Sequence, residues 1–153
     1  MTLADKIAEP QFAGLDDSQV ADALNAPDPT LPPVWQAVPA EAARAVLLSR
    51  FEWAAVKASR ASADAQIAAV ADSMVDALTL QASLDLAVAP YRTAITQGMA
   101  ALVQAGVLSQ AAMDALLSLG QRAQSWAEAN GVAVDQLAVA DARGKPRVSV
   151  QEQ

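Results

Sequence analysis

The chain has 153 residues, a formal net charge of −7, and neither histidine nor cysteine. Those absences exclude histidine-based acid–base catalysis, Ser-His-Asp and Cys-His nucleophiles, imidazole or thiolate metal sites and disulfides. The acidic balance argues against general nucleic-acid binding, because phosphates need Lys and Arg. Hydrophobic residues make up 54% of the chain but aromatics only 4%, and about a quarter of all residues are alanine. Alanine is the strongest helix former yet buries little area, so an all-α protein is expected, with stability shared with a partner or with copies of itself. Charges interrupt every apolar run short of a membrane span, and the first residues lack an apolar signal segment.

Residues 3–9 predict a short helix stopped at Pro10. Asp16 and Asp17 can cap a second, with Gln19 three residues after Asp16 and with Val20, Ala21 and Leu24 on its apolar face. Residues 26–39 then break the pattern, because Pro27, Pro29, Pro32, Pro33 and Pro39 favour extended backbone. This segment reads as a stiff connector, or as a strap across a partner with Leu31, Val34 and Trp35 as anchors, since Trp35 needs a burial site. A third helix is expected over residues 40–58, opened by Pro39 and Glu41, with Ala43, Val46, Leu47, Phe51, Ala54 and Ala55 as its stripe. Ser59 or Ser62 would cap a fourth, carrying Ile67, Val70, Ala71, Met74, Val75 and Leu78 and packing on the third as a hairpin.

Residues 79–88 alternate Leu80, Ala82, Leu84, Leu86 and Val88 with mostly polar neighbours. The period is that of a strand, but no second strand is evident, so the segment reads as an extended connector. Pro90 opens a fifth helix with Ile95, Met99, Leu102 and Val103 facing inward, ended at Gly106. Ser109 caps a helix with Met113, Leu116 and Leu117, ended at Gly120. Ser125 and Glu128 form a capping box for a short helix stopped by Gly131, and Asp135 caps a last helix stopped by Gly144. The expected fold is an all-α compact bundle of about six to seven short-to-medium helices with a Pro-rich extended connector. One helical domain would cover residues 1–144, comprising N-terminal helices (1–25), the strap (26–39) and a helical core (40–144), with a flexible tail over 145–153.

Few residues suggest chemistry. Ala127, Gly131 and Leu137 are spaced as in a helix-turn-helix, but the second helix offers Asp135, Gln136 and Asp141 to a groove, with only Arg143 at its end. Asp72 and Asp76 share a helix face and read as a solvated acidic surface; no catalytic, cofactor-binding or metal site is assigned. Phe12, Phe51, Trp53, Tyr91 and Trp126 are the other large anchors, for a core or for an interface. Residues 1–30 carry one lysine against six carboxylates, whereas Arg143, Lys145 and Arg147 make the far end basic. That end is a solvated tail, or it docks on the acidic region of a neighbouring copy.

The run Ile7-Ala8-Glu9-Pro10-Gln11-Phe12-Ala13-Gly14-Leu15, with Asp22-Ala23-Leu24-Asn25-Ala26-Pro27, resembles the start of small proteins of tailed bacteriophages and prophages. Their later pattern is similar to Leu102-Val103-Gln104-Ala105-Gly106-Val107-Leu108, Ser125-Trp126-Ala127-Glu128 and Val139-Ala140-Asp141-Ala142-Arg143. The resemblance covers both ends, skips the middle, and carries over no catalytic residue. It implies a virion, or the bacterial host cytoplasm during assembly. The expected function is a non-enzymatic, multi-copy structural or assembly protein that contacts other phage proteins or copies of itself. No membrane, nucleic acid, cofactor or small-molecule substrate is expected. The alternative is a small phage regulatory protein that uses the corner around residues 126–142 against DNA or a host protein. Candidate interface residues are Phe12, Leu31, Val34, Trp35, Arg143, Lys145 and Arg147.

Overall fold

The computed structural model describes residues 1–145; Arg147 and the rest of the expected tail beyond Lys145 lie outside the described residues. The described chain is mostly helical, with nine α-helices, but it is not all-α: six short strands form three antiparallel pairs. It also divides into two compact units, where the sequence suggested one helical domain: Met1–Pro33 with Ala123–Gln153, and Val34–Arg122.

The first unit begins with α1 (Leu3–Ile7), capped by Thr2, and a 3-10 turn at Pro10–Phe12. Helix α2 (Asp17–Asn25) has the expected Asp16–Gln19 capping box, with both reciprocal bonds formed. Strand β1 (Pro27–Asp28) is closed by a partner from the other end of the chain. The core of this unit is Ile7, Phe12, Val20, Ala21, Leu24, Trp126, Ala127, Val134 and Val139.

The second unit starts with β2 (Val34–Trp35) and β3 (Ala37–Pro39), which leads into α3 (Ala40–Ser49). The expected single helix over 40–58 is broken here: α4 (Trp53–Ala58) follows after Phe51, whose φ is +60°. In an unbroken helix Trp53 would lie roughly 240° around the axis from Leu47 and could not share its core. The break lets Leu47, Trp53 and Val56 all be buried, and it leaves the expected stripe members Phe51, Ala54 and Ala55 exposed. Helix α5 (Ala65–Leu80) is capped by Asp64, not by Ser59 or Ser62.

Strand β4 (Ser83–Asp85) explains the period-two segment. It pairs antiparallel with β3, which sets Val38 opposite Leu84, both buried, and Ala40 N–H extends the ladder to Ala82 C=O. The strand that the sequence did not reveal lies in the Pro-rich segment, where Pro39 is tolerated at the end of an edge strand. Helix α6 (Ala89–Gln104) has Pro90 in its first turn, and α7 (Gln110–Leu119) is capped by Ser109. Strand β5 (Gln121–Arg122) closes the second unit by pairing with β2.

In the first unit, β6 (Gln124–Ser125) pairs with β1. Helices α8 (Trp126–Ala129) and α9 (Gln136–Ala142) complete it, capped by Ser125 and Asp135 as expected. Among the described residues no helix is long and apolar enough to cross a membrane.

Gly120 ends α7, but not through glycine's conformational freedom, since its backbone is ordinary right-handed helix. It is required for space. A Cβ there would sit 2.5 Å from Leu86 Cδ1 and 3.3 Å from Trp35 Cε3. Gly120→Ala should therefore destabilise the second unit by about 1–3 kcal/mol, the usual range for overpacking. Denaturant unfolding followed by tryptophan fluorescence checks this, and an unchanged midpoint would refute the packing account.

Candidate functional site

The interface residues singled out in the sequence are mostly used inside the chain's own units. Trp35 is half-buried against the second unit's core, with Gly120 beneath its ring and the Arg92 guanidinium 4.8 Å from its centroid. Arg92 is held there by a 2.6 Å bond from Nη1 to Leu86 C=O. The ring thus finds its burial site within the second unit, and the cation stacks on its face. Val34 is half-buried in β2 and Leu31 is half-buried in the first unit, where its N–H donates to Asp28 C=O. Phe12 is a core residue of the first unit.

The basic end of the described chain and the acidic N-terminal region do meet, within one molecule. Arg143 Nη1 donates to Asp17 Oδ1 at 2.7 Å and to Leu15 C=O at 3.0 Å, while Nη2 reaches Phe12 C=O at 3.4 Å. Lys145 Nζ donates to Asp17 Oδ2 at 2.7 Å. Asp17 is only 8% exposed, so two cations hold a buried carboxylate. The helix ends favour the same arrangement: Asp17 is the first residue of α2, and Arg143 and Lys145 follow the last residue of α9, where an anion and cations complement the respective dipoles. The clasp ties the loop over residues 12–16 to the end of α9.

That clasp also bears on the helix-turn-helix-like corner. Arg143, the cation that would face phosphate, points inward to Asp17, and α9 packs on α1 and α2 through Val139. Gln136, Leu137 and Asp141 are the exposed residues of the second helix, Leu137 at 70%. Lys145, about half exposed, pairs with the same carboxylate, so both described cations of this end already have an anionic partner. The carboxylate pair resolves similarly. Asp72 accepts from Arg60, with Nε at 2.7 Å and Nη2 at 2.6 Å, an exposed ion pair. Among the described residues no three carboxylates converge on one point.

Two further features lie in the second unit: a cleft that the sequence did not mark, and Phe51, which it marked as an anchor for a core or an interface. The first is a cleft of about 490 Å³ between α5 and α6, extending to β3 and β4. Val70, Met74, Leu78, Leu84, Ile95 and Met99 line its walls, Gly98 lets the helices approach, and Val70 Cγ1 would be 3.3 Å from a Cβ there. No charged residue lines it; its polar groups are Gln66, Ser73, Gln81 and Tyr91. Tyr91 Oη donates to Gln81 Oε1 at 3.2 Å, and burial, then the charge of Asp85, pushes the phenol's pKa up. Such a lining offers neither an acid nor a base near neutrality, and it suits an apolar group.

The second feature is Phe51. Helix α3 ends in a Schellman motif, with Phe51 N–H to Leu48 C=O at 3.1 Å and Glu52 N–H to Leu47 C=O at 2.9 Å. Helices α6, α8 and α9 end with the same pair of bonds. In those three the left-handed residue is Gly106, Gly131 or Gly144; in α3 it is a phenylalanine, 90% exposed. The corner is pinned, because the Glu52 carboxylate accepts from Ser109 N–H at 3.0 Å and from Ser109 Oγ at 2.7 Å. Leu48, 52% exposed, lies beside it on the last turn of α3.

The Asp17 clasp predicts a pH dependence. The hydrogen bond from Lys145 is the largest cause holding the Asp17 carboxyl below its ordinary value of 3.8, opposed by burial and assisted by Arg143. A depressed carboxyl pKa stabilises the fold above the unfolded-state value, and the contribution is lost as pH falls through the folded-state value. The Tm difference between the native chain and Asp17→Asn should therefore be full near neutrality and shrink steadily below about pH 4. A difference that stays constant down to pH 2 would show that the clasp's charge contributes nothing.

No protein-family model, no curated protein and no solved structure matches the chain.

Proposed function

We propose that the chain is a non-enzymatic structural or assembly protein of a tailed bacteriophage, acting in several copies through protein–protein contact. One observation carries the contact part of this reading: Phe51 stands fully in solvent at a backbone position that three other helix ends give to glycine. A left-handed conformation costs a non-glycine residue about 1–2 kcal/mol, and exposing an aromatic ring adds nothing in return to the free chain. Burying that ring against another protein contributes roughly 1.5–3 kcal/mol, enough to offset the strain. Aromatics in such settings are frequent interface hot spots. The phage setting rests on the resemblance of the two ends of the sequence. The non-enzymatic reading is supported by how the polar residues are used: as helix caps, in the Asp17 clasp and in exposed ion pairs.

Phe51→Gly separates a contact residue from a folding residue. The substitution relieves the left-handed strain but frees the unfolded backbone, so the net gain should be about 0.5–1 kcal/mol, a rise of a few degrees in Tm. The same variant should be recovered in purified particles less than the native chain is. A fall in Tm would make Phe51 part of the fold and remove the argument. Particles that lack the native chain by mass spectrometry would reject virion membership.

A further inference from the structure

We propose that Asn130 is a self-modification site, deamidated through the Gly131 nitrogen, and that the closed end of α8 is the gate that withholds it. The reaction needs no partner but water.

The amino-acid sequence supplies this chemistry at one place. An asparagine side chain cyclises when the backbone nitrogen of the next residue attacks its Cγ, and a following glycine leaves that nitrogen unhindered. The chain has two asparagines. Asn25 precedes Ala26, and its amide donates to Ala21 C=O at 2.9 Å and to Val134 C=O at 2.7 Å. Asn130 precedes Gly131, and both are exposed to water. Of the three glycine closures, Gly106 follows Ala105 and Gly144 follows Arg143, so only that of α8 sets an amide beside the glycine.

The fold holds the reacting groups apart. Asn130 has ψ at 0°, which eclipses Gly131 N with the nitrogen of Asn130 itself, whereas ring closure requires it to eclipse Cβ. Nucleophile and electrophile are also both occupied. Gly131 N–H donates to Glu128 C=O at 3.1 Å, and Asn130 Nδ2 donates to Trp126 C=O at 2.8 Å. Opening of the α8 end frees both groups and lets ψ rotate. Hydroxide then takes the Gly131 N–H proton and Gly131 N bonds to Cγ. The Cγ–Nδ2 bond breaks, and Nδ2 takes a proton from water and leaves as ammonia. Water opens the resulting succinimide at either carbonyl, to aspartate or isoaspartate.

Neither product closes the helix as before. Aspartate replaces the donor to Trp126 C=O with a negative charge among the carbonyls of a helix end. Isoaspartate routes the backbone through Cβ, which displaces Gly131 N–H from Glu128 C=O and Val132 N–H from Ala127 C=O. A transient opening thereby becomes permanent, in the corner that places Trp126 in the core of the first unit.

Peptide-mapping mass spectrometry of the full chain, incubated at mildly alkaline pH in heavy-oxygen water, tests this. Label should enter at Asn130 about 10-fold or more slowly in the native chain than in urea, because only the open fraction reacts. Ser125→Ala, which removes the α8 N-cap, should speed the reaction of the folded chain and leave the rate in urea unchanged. The isoaspartate form, separated by chromatography, should exchange its Gly131 and Val132 amide hydrogens faster than the unmodified chain. Equal rates in native buffer and in urea would overturn the gate, as would a folded Ser125→Ala chain that reacts no faster. Asn25 reacting ahead of Asn130 in urea would overturn the assignment of the site. Unchanged amide exchange in the isoaspartate form would overturn the permanent opening.

Discussion

An alanine-rich helix has little side chain to bury, so it cannot tolerate open ends. Each helix leaves four N–H groups and four C=O groups without internal partners, and short helices are mostly ends. This chain closes them systematically. Thr2, Asp16, Asp64, Ser109, Ser125 and Asp135 cap six N-termini with side-chain oxygens, each contributing about 1 kcal/mol. Four C-termini close through the same pair of backbone bonds. The architecture is a set of short, well-terminated helices and two- and three-residue strand pairs, around cores in which Leu and Val outnumber Ala.

That constraint shapes what is left for function. Polar side chains that elsewhere would build a site are used here to end helices or to tie segments together, as Glu52 does for Ser109 and Asp17 does for Arg143 and Lys145. Apolar surface is available as well. The second unit offers it in two forms, a cleft without charges and a protruding aromatic ring. Phe51 stands out because the protein supplies its own control: three identical backbone closures with glycine define what the position ordinarily requires.

Much of the helical punctuation was legible. Ser109, Asp135 and the Asp16–Gln19 box cap the helices expected, and Pro90 opens α6, because caps and first-turn prolines act over three or four residues. The break after α3 was not legible for a specific reason. The residue that signals a C-terminal closure is glycine, and here a phenylalanine in register with the apolar stripe stands in its place. The strands escaped for another: β3 and β4 are more than forty residues apart, and two-residue pairs such as β2–β5 carry no periodicity. The division into two units was only half legible: the join at Pro33–Val34 falls in the Pro-rich connector, but the one at Arg122–Ala123 carries no linker composition, and the first unit is assembled from both ends of the chain.

The candidate site divides along the same line. Phe12, Trp35, Arg143 and Lys145 were visible as residues that need partners; that those partners are the core of the first unit, Gly120 with Arg92, and Asp17 depends on contacts far apart in sequence. Gly120 shows the distinction most simply. Its place at a helix end was readable, but the reason for glycine is the space taken by Leu86 and Trp35, not the backbone angle. The amino-acid sequence by itself determined the helical class, most helix starts and the absence of histidine and cysteine chemistry, because composition and capping are local. Only the tertiary structure decided which apolar residues are core and which face solvent, as at Phe51, where one left-handed residue re-phases α4 and buries Trp53 and Val56 in place of Phe51, Ala54 and Ala55.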